Sequence, residues 1–160
     1  STNKYKSSLS EQLKYYRYIN DVFISFGEID CRKNEGILNY SIKHKIDFFT
    51  ICETTIKGYL DYMETTLCSY HPNRYYFGIP APTIEGRVED DLDIGRKKLI
   101  KTYNSILKKE VLSRGCFFLD IYLLTVNKDG NNNGIYMCDT IHLSPKCLSV
   151  LFKGYLYKPN

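Results

Sequence analysis

The sequence predicts a three-layer α/β/α sandwich built on a parallel sheet. Three short apolar runs, rich in β-branched and aromatic residues, predict buried strands at about 22–26, 74–79 and 116–121. Apolar residues at steps of three and four predict two long amphipathic helices between them, near 44–68 and 89–113. Strands that alternate with long helices pair in parallel through right-handed crossovers. At 160 residues, the chain is predicted to form a single α/β domain over its whole length, residues 1–160.

Capping and turn residues predict the elements of the first half of the chain. Ser8 and Glu11 have the spacing of a capping box, which predicts a short helix running to about Ile19. The polar, irregular stretch from Cys31 to Tyr40 predicts a loop after the first strand. The prolines of Pro80–Pro82 end the second strand, because proline cannot continue a ladder of backbone hydrogen bonds.

Two signals locate the elements of the second half. Residues 128–134 carry three asparagines and two glycines, which predicts a turn with positive φ angles after the third strand. Ser144 followed by Pro145 predicts the N-cap and first position of a last helix.

The composition, 43% hydrophobic and 25% charged, is that of a folded globule. The net charge of +4 comes without a clustered basic stripe, so we expect no nucleic-acid partner. The sequence contains no apolar run of about 18 residues, so we expect no membrane span. The cysteines lack C-x-x-C spacing and the three histidines complete no zinc pattern, so we predict no metal and no cofactor. We expect reduced, mostly buried thiols in a cytoplasmic protein.

Charges in the second long helix follow the order that a helix dipole favours. Acidic residues stand at its start, from Glu89 to Asp93, and basic residues follow. We interpret the basic residues as a solvated face; they are Arg96, Lys97, Lys98, Lys101, Lys108 and Lys109.

Polar residues follow each predicted strand, where an open parallel sheet binds its ligands. Three segments lie there: residues 27–32, residues 80–82, and the loop that ends in residues 138–142. In the last segment, Asp139 precedes His142 by three residues. A carboxylate at that spacing can accept the imidazole Nδ1–H and leave Nε2 as a general base. The same spacing also fits a simple surface hydrogen bond.

Two interpretations of Glu28, Asp30 and Arg32 stay open. Arg32 could bind a carboxylate or a sugar group, with Asp30 or Glu28 orienting its guanidinium. Alternatively, the three side chains form an ion-pair cluster that holds the shape of the loop.

From Asp21 to Leu156, the order of these segments resembles the SGNH, or GDSL-like, hydrolase superfamily. The resemblance begins with Phe26-Gly27-Glu28-Ile29-Asp30-Cys31-Arg32, which is similar to the third block of a subgroup that reads G-E-I-D-C-R. It continues with Gly78-Ile79-Pro80-Ala81-Pro82, with Asn104 and with Phe118-Leu119-Asp120. It ends with Asp139-Thr140-Ile141-His142-Leu143-Ser144, which is similar to the fifth block.

The resemblance implies a flavodoxin-like SGNH fold and serine acyl transfer on a small ester or an O-acetylated carbohydrate. It implies His142 as general base and Asp139 as the residue that orients it. It places Gly27, Glu28, Asp30 and Arg32 at the oxyanion and substrate-binding positions.

The sequence departs from the family pattern at the nucleophile. It has no G-D-S block after an N-terminal strand, no second-block glycine, and Ile29 where the family has an asparagine donor. Ser8-Leu9-Ser10 is similar to that block, but we interpret it as a helix cap. We therefore expect the C-terminal two-thirds of a hydrolase domain, without its first strands and inactive as an esterase alone.

An incomplete sheet would leave the strand at 22–26 as an open apolar edge, which recruits other chains. A missing upstream segment, a second copy in a homo-oligomer, or the N-terminal helix would cover it, and we favour the missing segment. Two alternatives to the hydrolase remain: a catalytically dead SGNH-fold binding module, and a plain flavodoxin-like structural or interaction domain.

Overall fold

The computed structural model describes residues 11, 15, 16, 18–67, 72–84, 88–139 and 142–159. Most of the helix predicted from Ser8 to Ile19, including Ser8 and Ser10, lies outside the described residues.

Four strands form one open, mostly parallel sheet in the described part of the chain. They are β1 (Asp21–Ser25), β2 (Asn73–Phe77), β3 (Phe117–Leu119) and β4 (Leu156–Tyr157), adjacent in that order. β2 pairs in parallel with both β1 and β3, whereas β4 runs antiparallel to β3. The predicted parallel pairing of the first three strands is confirmed. The sequence does not predict β4, because a strand of two residues carries no periodicity.

Five helices surround the sheet in the described residues. They are α1 (Ile37–His44), α2 (Phe48–Leu67), α3 (Asp91–Ser113), α4 (Ile121–Thr125) and α5 (Cys147–Gly154). A short 3-10 turn at Ile29–Cys31 follows β1. The two long predicted helices are confirmed as α2 and α3, each with a later start. No helix among the described residues combines the length and the apolar character needed to cross a bilayer.

The prediction of a loop from Cys31 to Tyr40 is wrong in its second half, where α1 forms. Ile37 and Leu38 are buried, and Leu38 packs so closely on α3 that a Cβ at Gly95 would lie 3.2 Å from its Cδ2. Tertiary burial of these two residues thus favours a helix in a polar stretch. Lys45 ends α1 with a φ of 55°, in the left-handed region, so the long helix begins only at α2.

The third strand is shorter than predicted because the next residue caps a helix. Asp120 is the N-cap of α4, and its Oδ1 accepts the Leu123 backbone N–H at 3.0 Å. The last helix, predicted from Ser144, begins at Cys147, after a turn in which the Cys147 N–H donates to the Ser144 carbonyl at 3.0 Å.

The side chains on the two faces of the sheet belong to two separate apolar clusters. Ile24, Tyr76 and Phe118 lie on one face and pack with buried residues of α1, α2 and α3. Leu119 lies on the other and packs with the buried residues of α5. Because α2 and α3 share the first cluster, both crossovers lie on one face of the sheet. The result is a mixed α/β fold whose parallel strands end at one common edge.

Candidate active site

A narrow recess opens at the edge where β1 and β2 end. It has a volume of about 30 Å³ and brings together two of the three predicted strand-end segments. Its lining residues are Glu28, Cys31, Ile79, Pro80, Ala81, Pro82, Thr83, Arg96, Ile100 and Met137.

Asn104 of α3 fixes the first part of the recess wall. Its Oδ1 accepts the Ile79 N–H at 2.7 Å, and its Nδ2 donates to the Ile79 carbonyl at 3.0 Å. Gly78 makes this possible, because a Cβ there would lie 2.6 Å from the Asn104 Oδ1. Both polar backbone groups of Ile79 are thus held by a single buried side chain.

Thr125 and Asn132 fix the rest of the wall. The Thr125 Oγ1 accepts the Ala81 N–H at 2.9 Å, and the Asn132 Nδ2 donates to the Ala81 carbonyl at 3.0 Å. The Asn132 backbone N–H donates to the Pro82 carbonyl at 2.8 Å. Because proline has no N–H to satisfy, both backbone N–H groups of the wall from Ile79 to Pro82 have hydrogen-bond partners, as do the carbonyls of Ile79, Ala81 and Pro82.

Asp139 and His142 form the predicted hydrogen bond. The His142 Nδ1 lies 2.7 Å from the Asp139 Oδ2, and the His142 backbone N–H donates to the Asp139 Oδ1 at 2.6 Å. The turn is closed by the Cys138 N–H, which donates to the His142 carbonyl at 2.8 Å. Because an ionised carboxylate only accepts, it favours the tautomer of a neutral imidazole in which Nδ1 carries the hydrogen and Nε2 has the free lone pair. The side chains are 75% exposed at His142 and 54% exposed at Asp139, so solvent reaches both.

A shallow groove lies beside Asp139 and next to the recess. It has a volume of about 240 Å³ and is lined by Thr83, Asn132, Gly134, Met137, Cys138 and Asp139. Thr83 and Met137 line both the groove and the recess. All three predicted strand-end segments therefore border two adjacent cavities, the recess and the groove, which together we call the depression.

The contacts of Arg32 are those of an ion-pair cluster. Its Nη2 lies 3.0 Å from Glu28, and its Nη1 lies 3.0 Å from Glu35. Hydrogen bonds to Glu28 and then to Glu35 raise the pKa of the guanidinium further above its usual range. Glu28 and Glu35, rather than Asp30, thus hold Arg32, and no sequence motif points to Glu35. Burial raises the pKa of the Asp30 carboxyl.

Close packing requires a glycine at position 27. It has a φ of +89°, and a Cβ there would lie 2.6 Å from the Tyr103 hydroxyl. The structure shows this steric role for Gly27, whereas its expected role as an oxyanion donor remains a prediction. Ile29, at the family's asparagine position, is 61% exposed on the 3-10 turn.

Several residues of the depression are not identified from the sequence. Arg96, interpreted as part of a solvated helix face, lines the recess, and its Nε donates to the Cys31 carbonyl at 3.1 Å. Burial holds the pKa of the Cys31 thiol well above its usual range, so this cysteine stays a neutral thiol and a poor nucleophile. Thr83 and Met137 belong to no sequence motif that would single them out. Only the fold brings these residues together.

The described cysteines carry free thiols, and all of them except Cys138 are buried. No group of three histidine, cysteine or acidic side chains among the described residues is placed to hold a metal ion. Comparison of the chain with protein-family models gives no match, and neither does comparison with curated proteins.

Proposed function

We propose that the protein is an SGNH-type ester hydrolase that acts on a small ester or an O-acetylated carbohydrate. The observation that carries this proposal is the Asp139–His142 hydrogen bond of 2.7 Å, beside a groove that shares Thr83 and Met137 with the strand-end recess. The flavodoxin-like SGNH sandwich is part of the same proposal. It is supported by the parallel order of β1, β2 and β3.

The chemistry follows from the tautomer that Asp139 selects. With the Nδ1 hydrogen held by the carboxylate, the His142 Nε2 can take the proton of a serine hydroxyl. The serine oxygen attacks the ester carbonyl, and the imidazolium then protonates the departing alcohol. Water, deprotonated by the same nitrogen, releases the acid and restores the serine. The proposal assigns no serine to the nucleophile, since the sequence has no G-D-S segment.

Asp139 has two functions in this scheme. Its Oδ2 favours the imidazolium that forms during proton transfer, and its Oδ1 fixes the backbone of the residue that it orients. Because the pair is exposed, its electrostatic effect is screened by water until a substrate fills the groove.

A second candidate is a binding module that keeps the depression without the chemistry. It is favoured by the sequence, which lacks the G-D-S segment, and by Arg32, whose guanidinium already has two carboxylate partners. This candidate predicts that ligands bind in the depression and are released unchanged.

Hydrolysis of p-nitrophenyl acetate by the protein from its complete reading frame tests the proposal. We expect His142→Ala to lower the rate roughly 100-fold or more, the usual contribution of a general base. His44→Ala is the matched control, because His44 lies in the last turn of α1, where its ring centroid is 4.2 Å from that of Tyr40. Equal rates for the protein and its His142→Ala variant would contradict the proposed role of His142.

A further inference from the structure

We propose that the surface around the bend between α1 and α2 docks onto an anionic lipid bilayer. Residues 42–49 form this bend, which we call the α1–α2 corner. The docking surface lies outside the recess and the groove, and it does not depend on the hydrolase function proposed above. The partner that its chemistry fits is a membrane surface that carries negatively charged headgroups.

Three large apolar side chains are exposed to solvent at the α1–α2 corner. Ile42 is 59% exposed, Ile46 41% and Phe49 46%. Two hydrogen bonds hold the corner in this conformation: the Ser41 carbonyl accepts the Ile46 N–H at 3.2 Å, and the Ser41 Oγ donates to the Ile46 carbonyl at 2.6 Å. The apolar side chains are therefore presented to solvent by a backbone that is fixed.

The exposed side chains of the corner lie along one side of α3. Leu38, one helical turn before Ile42, packs against Gly95. Phe49 lies further along α3, beside a groove of about 290 Å³. The other residues that line this groove are Lys101, Thr102, Ser105 and Ile106. The exposed apolar side chains are thus grouped rather than scattered singly, and such a patch marks a surface that binds a membrane or another protein.

The lysines around the corner have no acidic partners. Lys43 and Lys45 belong to the corner, and Lys98 and Lys101 are exposed on the neighbouring part of α3. In the part of the chain that the structure describes, none of these four lysines forms an ion pair, and Asp47 is the one acidic residue of the corner. Lysines that do form ion pairs include Lys33, Lys57, Lys97 and Lys108. The corner therefore combines unpaired positive charge with exposed apolar side chains.

This combination fits an anionic bilayer better than it fits a protein partner. Apolar side chains can enter the boundary between headgroups and acyl chains, while lysines are attracted to the anionic headgroups. Every residue from 42 to 49 except Phe48 is exposed, so the corner projects from the surface of the domain. A projecting corner can enter a fluid headgroup layer directly, whereas a protein partner would have to provide a cavity of matching shape.

Co-sedimentation with lipid vesicles tests the electrostatic part of the proposal. The protein should bind vesicles of phosphatidylcholine with about one-third phosphatidylserine, and it should bind phosphatidylcholine alone at least tenfold more weakly. Each lysine near an anionic surface contributes roughly fivefold in affinity, so Lys45→Glu/Lys101→Glu should weaken binding at least tenfold. Lys146→Glu/Lys153→Glu is the matched control, because these exposed lysines flank α5, which packs on the other face of the sheet. Equal weakening by the two double variants would overturn the proposal.

Two serine variants test the apolar part of the proposal in the same assay. Ile46→Ser should weaken vesicle binding at least fivefold, because the side chain that enters the bilayer becomes polar. Leu148→Ser is the matched control: Leu148 is 42% exposed on α5, close to the 41% of Ile46, and its loss should leave binding unchanged. Both side chains are exposed, so neither change removes a core contact.

The remaining outcomes assign the corner to another partner. Equal binding to vesicles with and without phosphatidylserine, or no binding to either, would overturn the proposal. If vesicles are not bound and Phe49→Ser abolishes self-association of the protein in sedimentation velocity, the corner is an interface between copies of this chain. No readout uses ester hydrolysis, so these outcomes leave the hydrolase function to its own test.

Discussion

Asn104 holds Ile79 by both of its backbone polar groups, with an N–H···Oδ1 distance of 2.7 Å and an Nδ2···O distance of 3.0 Å. Asn104 is only 5% exposed, and it joins α3 to the turn that follows β2. Water cannot replace its side chain at this depth, so the position of the recess wall depends on it.

Replacing Asn104 with leucine should destabilise the fold strongly. It leaves the buried N–H and C=O of Ile79 without partners, at a cost of ~1–3 kcal/mol for each group. We expect a loss of ~2–6 kcal/mol in the free energy of unfolding, measured by urea denaturation. Asn39→Ala is the comparison, because Asn39 makes one partly buried hydrogen bond at 3.3 Å, to the Lys33 carbonyl. Equal losses for the two variants would contradict the role given to Asn104.

Gly78 should not tolerate even a methyl group. An added Cβ would meet the Asn104 Oδ1 at 2.6 Å and the Phe118 Cζ at 3.0 Å. Such overpacking typically costs ~1–3 kcal/mol, so Gly78→Ala should lower the melting temperature. Gly58→Ala is the matched control: Gly58 lies within α2 with nothing within 4 Å of its added Cβ. There the alanine should stabilise the helix by ~0.5–1 kcal/mol, so the two variants should differ in sign.

These two sites show what the sequence can and cannot predict. Apolar periodicity predicts α2 and α3, because each of these helices buries a regular face, and short apolar runs predict β1 and β2. The Asp139–His142 bond is equally predictable, since both residues lie within one turn.

The recess is not predictable in the same way. Glu28, Ile79, Arg96 and Met137 are far apart along the chain, and only the fold brings them together. α1 is missed for a related reason, because its helical pattern is weak until Leu38 is buried against Gly95.

The ionised carboxylate of Asp90 should stabilise the fold at pH values above the acidic range. Its carboxylate lies 2.8 Å from the Lys33 Nζ and also caps α3 by accepting the Asp93 N–H at 2.9 Å. The hydrogen bond from Lys33, followed by the one from the Asp93 backbone, lowers the Asp90 pKa below its usual 3.8. A depressed folded-state pKa contributes stability that is present above the unfolded value and lost as pH falls through the folded value.

The test is the difference in melting temperature between the unmodified protein and Asp90→Asn, followed from pH 6 to pH 2. Asparagine keeps the cap but removes the charge. We expect the unmodified protein to be the more stable at pH 6 and the difference to shrink below about pH 4, near the ordinary carboxyl pKa. A difference that is constant over the whole range would contradict the account.

The edge strand β1 predicts that copies of the chain associate with one another. Among the described residues β1 pairs only with β2, and Phe23 is 50% exposed while its ring stacks on Tyr75 at 4.8 Å. An apolar edge strand of this kind recruits other strands. We expect residues 1–160 alone to self-associate in sedimentation velocity at micromolar concentration, and Phe23→Lys to reduce that association. Ile135→Lys adds the same charge away from the edge and should leave it unchanged; a monomeric parent chain would contradict the prediction.

The central claim, that His142 and Asp139 activate a serine, is tested most directly by a fluorophosphonate probe. This reagent bonds to a hydroxyl only where a general base activates it. Incubated with the protein from its complete reading frame, the probe should label one serine, identified by peptide mass. The His142→Gln variant should be labelled at least 100-fold more slowly, and Asp139→Asn should also be slowed. Labelling at the same rate in the protein and in His142→Gln, or no labelling of any serine, would contradict the claim.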